Sequence, residues 1–185
     1  MPRPAAPREE IVDRLGDVFR RHGYGGASLK LLSDATGLGR SSLYHYFPNG
    51  KEDMALAVLD SAERWMGDEV VPILESAASP QEKVRAVVAA LDRFYLGGRR
   101  SCLLELFAIG DAREVFGPRV SQRLANLRSA LAGIAREAGH APDDATRRAE
   151  DAMIAIHGGL VVSRGLGDTA PFRRVLDGLE KTLIG

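Results

Sequence analysis

The stretch SLKLLSDATGLGRSSLYHYF, residues 28–47, decides the fold. Ser28 suits a helix start, because its hydroxyl can accept a bond from a free backbone N–H of the first turn. Leu29, Leu32 and Ala35 then recur at helical spacing and give that helix one apolar face. Gly37 stands where the chain must reverse with positive φ, which glycine tolerates best. Leu38 supplies the turn with a buried anchor. A second helix is expected from Arg40 to Phe47, with Leu43 and Phe47 four apart on its core face. Arg40, Ser41, Ser42, Tyr44, His45 and Tyr46 are left on the other faces. Helix, glycine turn and second helix make the helix-turn-helix pattern, whose second helix lies in the DNA major groove.

The side chains left over suit that use. Hydroxyls of Tyr44 and Tyr46 can bond phosphate, and their rings can touch thymine methyls. Arg40 can reach a guanine edge or a phosphate. Ser41, Ser42 and His45 share the exposed faces. Ser28 doubles as cap and phosphate donor, since an exposed helix N-terminus attracts anions.

This segment resembles the DNA-binding domain of the tetracycline-repressor (TetR) family of bacterial regulators. The matching residues are Ser28, Leu29, Leu32, Ala35, Gly37, Leu38, Leu43, Tyr44, Phe47, Pro48, Lys51 and Glu52. By this resemblance Lys51 is a phosphate-binding lysine. Two departures stand out. The family often carries Tyr-His where this chain has His45-Tyr46, so base preference does not carry over. Asn49-Gly50 makes the stretch before Lys51 one residue longer than the common pattern, which is similar to a subgroup that includes lincomycin-resistance-type repressors. The sharp match covers the first quarter of the chain; the remainder fits as a coarse helical pattern.

The charge distribution points the same way, weakly. The chain is neutral overall, with 25 Lys/Arg and 25 Asp/Glu. Residues 1–51 hold eight basic and five acidic side chains, so the remainder carries the acidic excess. The single cysteine, Cys102, excludes an internal disulfide and suits a reducing compartment. No apolar run approaches the roughly 20 residues needed to span a bilayer. The start, MPRPAAPREE, lacks the apolar core of a signal peptide and reads as a short solvated arm in which Arg3 and Arg8 could touch DNA. A cytoplasmic protein is expected.

Working outward, helical periodicity continues and no convincing alternating strand is present, so an all-α fold of about nine helices is expected. A first amphipathic helix over 8–22 carries Ile11, Leu15, Val18 and Phe19 on one side. The fourth runs from Lys51 to Val70, where Pro72 marks a stop. Ser79-Pro80 opens a helix to about Leu96, closed by Gly97-Gly98. A shorter apolar helix covers 101–110. Gly117-Pro118 is expected to break or kink the chain before a helix to Ala138. Pro142 opens another to about Arg164, and Thr169 caps the last. Residues 1–50 form the helix-turn-helix domain, and 51–185 a six-helix bundle for ligand binding and dimerisation.

Catalysis finds little support. The histidines at 22, 45, 140 and 157 lack metal-ligand spacing with each other or with Cys102, and no phosphate loop is present. No catalytic residue, metal or cofactor is assigned. Trp65, Met66, Phe94, Tyr95, Cys102, Leu103, Leu106 and Phe107 lie on the helices that enclose a ligand pocket in similar proteins. Residues 152–162, AMIAIHGGLVV, are apolar nearly all round, so one face is free for a partner chain. Ile156, Gly159, Leu160, Phe172, Val175, Leu176, Leu179 and Leu183 are the expected dimer seam; His157 faces the pocket or that seam.

The reading is a homodimeric regulator, a repressor, that binds a palindromic double-stranded operator and is released by a small, largely hydrophobic or aromatic effector. The alternatives are a helical interaction module without DNA binding, or an enzyme using the bundle cavity.

Overall fold

A computed structural model describes residues 6–185; Arg3 lies outside the described residues. Among them the regular structure is ten α-helices and one 3₁₀ turn. The first three are α1 (Arg8–Gly26), α2 (Leu29–Thr36) and α3 (Arg40–Tyr46). Gly23, at φ 67° and ψ 175°, interrupts α1, so its regular part ends where the glycine-rich run was expected to end it. Arg8 is the first residue of α1, and its guanidinium lies 5.6 Å from the centre of the Phe47 ring. It therefore belongs to the helix rather than to a solvated arm.

The body holds α4 (Lys51–Glu69), α5 (Val71–Glu75), α6 (Pro80–Phe94), α7 (Leu103–Phe107), α8 (Asp111–Glu137), α9 (Pro142–Leu166) and α10 (Ala170–Ile184). The six expected body helices are all present. The five-residue α5 is an addition: Pro72 sits in its first turn, where a missing N–H costs nothing. Ser79 and Glu82 cap α6 reciprocally, Ser79 Oγ accepting from Glu82 N and Glu82 Oε2 accepting from Ser79 N.

Two expectations are corrected. Gly117-Pro118 neither breaks nor delays its helix; α8 runs through both from Asp111. Burial of Ala112, Phe116 and Val120 on one side of α8 outweighs the bond that proline removes. Thr169 makes no side-chain cap on α10. Asp168 Oδ1 accepts from Ala170 N instead, at 2.9 Å, and the buried Ser163 Oγ accepts from Phe172 N at 3.0 Å.

Two cores result. One gathers Ile11, Leu15 and Phe19 of α1, Leu32, Leu43 and Phe47, the first half of α4, and Phe107 and Phe116 from α7 and α8. The other joins α6, α8, α9 and α10 around Leu91, Ile134, Ile156, Phe172 and Leu179. Helix α4 enters the first core through Met54, Ala55, Val58 and Leu59, and its Trp65 and Met66 pack against the second. It is thus the mechanical link between them.

Candidate nucleic-acid interface and effector cavity

The α2–α3 pair is stitched together by side chains as well as by packing. Ser28 Oγ accepts from Leu31 N at 3.3 Å, which caps α2. Gly37 adopts φ 70° and closes α2 with a bond from its N–H to Ser33 O. Ser33 Oγ donates to Leu38 O at 2.6 Å, and the buried Thr36 hydroxyl donates to Leu32 O at 2.8 Å. These bonds hold the turn to one geometry. The short α3 is then fixed by Leu43 and Phe47, both fully buried.

That anchoring leaves Arg40, Ser41, Ser42, Tyr44 and His45 exposed along α3. Tyr44 is 45% exposed, and one edge of its ring covers Gly50. Tyr46 is half-buried: it packs against the N-terminal core and lies beside His45 and Phe47. Lys51 is half-buried too. Its Nζ donates to Tyr24 O at 3.0 Å and sits 4.4 Å from the centre of the Tyr24 ring. One of its three donors is therefore engaged at the end of α1, and two remain.

In the body, a cavity of about 290 Å³ opens among α4, α5, α6, α8 and α9. Its walls are apolar for the most part: Trp65 stacks on Phe94 with ring centres 4.2 Å apart, and Met66, Val70, Leu74 and Leu127 surround them. A few polar groups converge on it, the usual make-up of a small-molecule site. Tyr95 Oη donates to Cys102 Sγ at 3.5 Å, and both residues are buried. His157 Nδ1 bonds Met153 O at 2.8 Å, while its buried Nε2 has no partner. Arg123 joins α8 to α4 through Glu63 and Leu59 O, yet its buried Nε is also unpartnered.

The thiol and imidazole shift each other. Burial pushes the Cys102 thiol up, but the His157 imidazole beside it and the Tyr95 hydroxyl bring it below the usual thiol value. Burial lowers His157, but the Cys102 sulfur beside it outweighs burial and raises the imidazole to about 9.

Residues 10–58 match the family model described as "Bacterial regulatory proteins, tetR family". The match covers the helix-turn-helix unit and the first part of α4. It is 27% identical over 84 residues to the HTH-type transcriptional regulator LmrA of Bacillus subtilis, covering 45% of each chain. The chain spans less than half the length of the curated relatives it matches. The whole fold is similar to a TetR transcriptional regulator from Legionella pneumophila, with 20% identity, TM-score 0.83, and coverage of 99% of this chain and 100% of that one. It is also similar to a cysteine mutant of the TetR-family regulator CifR, solved with double-strand operator DNA, at 26% identity and TM-score 0.75, covering 99% and 98%.

Within the body, six of the eight expected pocket residues line the cavity: Trp65, Met66, Phe94, Tyr95, Cys102 and Leu103. Leu106 and Phe107 do not. Phe107 is fully buried in the N-terminal core, because α7 is one turn long and its far end packs on α1 and α8. His157 faces the cavity. Sequence reasoning missed the α8 wall. Arg123, Leu127 and Ala130 follow helical spacing and were legible as one face, but that face also carries charge.

The expected dimer seam also needs correction. Ile156, Leu160, Phe172, Leu176, Leu179 and Leu183 are closed inside the chain's own core, and a Cβ on Gly159 would meet Val175 of the same chain at 3.0 Å. These residues pack α9 on α10. The apolar side chains that α9 leaves uncovered are Ile154, Val161, Val162 and Leu166, with Ile154 70% and Leu166 69% exposed. Val175 alone of the expected α10 residues reaches the groove beside Gly158, Val162, Pro171 and Arg174. Among the described residues no helix is long and apolar enough to cross a membrane, and no group of side chains could hold a metal ion.

Proposed function

We propose that this chain is a ligand-responsive DNA-binding transcriptional regulator, a repressor that binds a palindromic operator as a dimer. The observation that carries this reading is α3: seven residues long, anchored by Leu43 and Phe47, and presenting Arg40, Ser41, Ser42, Tyr44 and His45 to solvent. A helix held so firmly and exposed so widely suits insertion into a major groove. Residues 1–50 are the reading unit, with Ser28, Tyr46 and Lys51 steadying the phosphate backbone at its margins. Residues 51–185 carry the effector and the partner.

The effector occupies the cavity behind Trp65 and Phe94. It is largely hydrophobic or aromatic and bears one polar atom that meets His157 or Arg123, whose free nitrogens await a partner. Two copies meet through the uncovered face of α9, since single exposed apolar residues are ordinary but a stripe of four on one helix is not. Dimerisation sets two α3 helices about 34–36 Å apart, one turn of duplex. Effector binding moves α4 and changes that spacing, so affinity falls. The regulated genes lie outside this reading, and no step of it calls for catalysis.

Sedimentation together with duplex binding tests it. Wild type is expected as a dimer at micromolar concentration. Ile154→Glu, which leaves both cores intact, is expected to give monomers that lose operator affinity with every α3 residue in place. A wild-type monomer that binds a single half-site tightly would overturn the dimer and its spacing mechanism.

A further inference from the structure

The Trp65–Phe94 stack is also the wall of a second cavity, of about 270 Å³, whose chemistry is the opposite of the first. Helix α1 contributes Val12, Asp13, Gly16 and Arg20. Helix α4 contributes Val58, Ser61 and Trp65. Arg93, Phe94 and Arg100 come from the end of α6 and the loop beyond it. The cavity therefore sits where the helix-turn-helix unit meets the body, and it holds three guanidinium groups.

Their partners do not balance. Arg93 is paired with Glu69 at 3.0 Å. Arg100 forms no ion pair with a carboxylate among the described residues and bonds only Phe94 O, at 3.4 Å. The Arg20 side chain is 13% exposed, and its one carboxylate partner, Asp17, is at 3.4 Å. Its Nε is buried with no acceptor at all. Asp13 and Asp17 also favour the charged form of Arg20, but both are exposed, so solvent weakens their reach. Burial first, and then the neighbouring Arg100 charge, lower the Arg20 pKa from the ordinary guanidinium value. A guanidinium stays charged in proteins all the same, so the folded chain carries two poorly compensated positive groups at one cavity.

We propose that this cavity binds a small oxyanion, a carboxylate or phosphate group, between Arg20 and Arg100. The planar forks of two arginines match such a group bidentately. Ser61 offers a hydroxyl, and the Trp65–Phe94 pair covers an apolar remainder. Because the walls come from α1, α4 and the loop after α6, the anion clamps the N-terminal unit to the body. This site is separate from the effector cavity and does not depend on DNA binding.

Thermal unfolding and titration calorimetry of the full chain test it, with inorganic phosphate and succinate as probes and ionic strength held constant with chloride. Wild type is expected to show a saturable rise in Tm with at least one probe. Arg100→Gln should weaken that probe about tenfold or more, the worth of one charged hydrogen bond. Arg99→Gln, a neighbour outside the cavity, should change nothing. Should Arg100→Gln fail to fold, Arg100→Lys keeps the charge without the fork and is expected to show a smaller loss. Phosphate alone, succinate alone or both would each support the site and identify the group it takes. Equal stabilisation by chloride, or a response that survives in Arg100→Gln, would overturn it.

Discussion

The two cores are built on different plans. In the N-terminal core four aromatic rings close on one another: Phe19 with Phe107 at 5.8 Å, Tyr24 with Phe116 at 5.1 Å, and Phe107 with Phe116 at 5.1 Å between centres. Edge-on and tilted contacts of this kind leave little room for rearrangement. The body core is rich in alanine, with Ala90, Ala132, Ala135, Ala145, Ala149 and Ala152 fully or nearly fully buried. Small side chains bring α8, α9 and α10 close together, and the larger residues facing α4 enclose a cavity with unpaired nitrogens. One region is filled by its own side chains and presents the exposed face of α3. The other keeps space, and buried polar atoms in need of a partner, where a ligand can act.

The sharpest way to break this contrast is Phe107→Ala. Removing a ring that touches three others should cost about 3–5 kcal/mol, read as a lower urea midpoint. DNA binding should fall with it, although Phe107 lies in the body half of the chain. A loss below 1 kcal/mol would mean that α7 is not part of the N-terminal core.

Next come Arg40→Ala and Tyr44→Ala. Each should lose about 1–3 kcal/mol of operator affinity, while the unfolding midpoint stays within about 0.5 kcal/mol of wild type. Destabilisation equal to the binding loss would instead place these side chains in the fold.

Smaller still is Ser79→Ala, which removes half of the reciprocal cap of α6 and should cost about 1 kcal/mol without touching DNA affinity. The finest probe is the titration of His157, followed by its ring resonances. It is expected to lose its proton at about 9, because burial, which opposes the imidazolium, is outweighed by the Cys102 sulfur beside it. Cys102→Ala removes that support and leaves burial opposed only by the Met153 O bond and the Glu105 charge, so the midpoint should drop toward the ordinary imidazole range. An unchanged midpoint would show that thiol and imidazole do not interact.

Much of this contrast was legible in the sequence. Ser28, Gly37, Leu43 and Phe47 announced the reading unit because caps, turns and short amphipathic helices depend on neighbours a few residues away. The side-chain bonds of Ser33 and Thr36 within that turn were not foreseen; each residue type allows several partners. The body was legible as helices but not as surfaces. Leu160 and Leu176 are apolar whether they meet another helix of the same chain or of a second chain, and only the packing of α9 on α10 distinguishes the two. Pro118 misled for a related reason: a local rule for breaking helices lost to the burial of Phe116 and Val120. Phe107 and Leu106 were placed in the pocket from their position on a helix, but α7 is too short to keep one face toward the cavity along its length.

Selection of bound duplexes from a random library, with purified full-length chain, tests the central claim most directly. The account predicts enrichment of an inverted repeat whose half-sites are centred about 10–10.5 base pairs apart, or a multiple of that, with the repeat lost in Tyr44→Ala. A chain that enriches no sequence while remaining folded, or an identical repeat selected by Tyr44→Ala and Arg40→Ala, would contradict it.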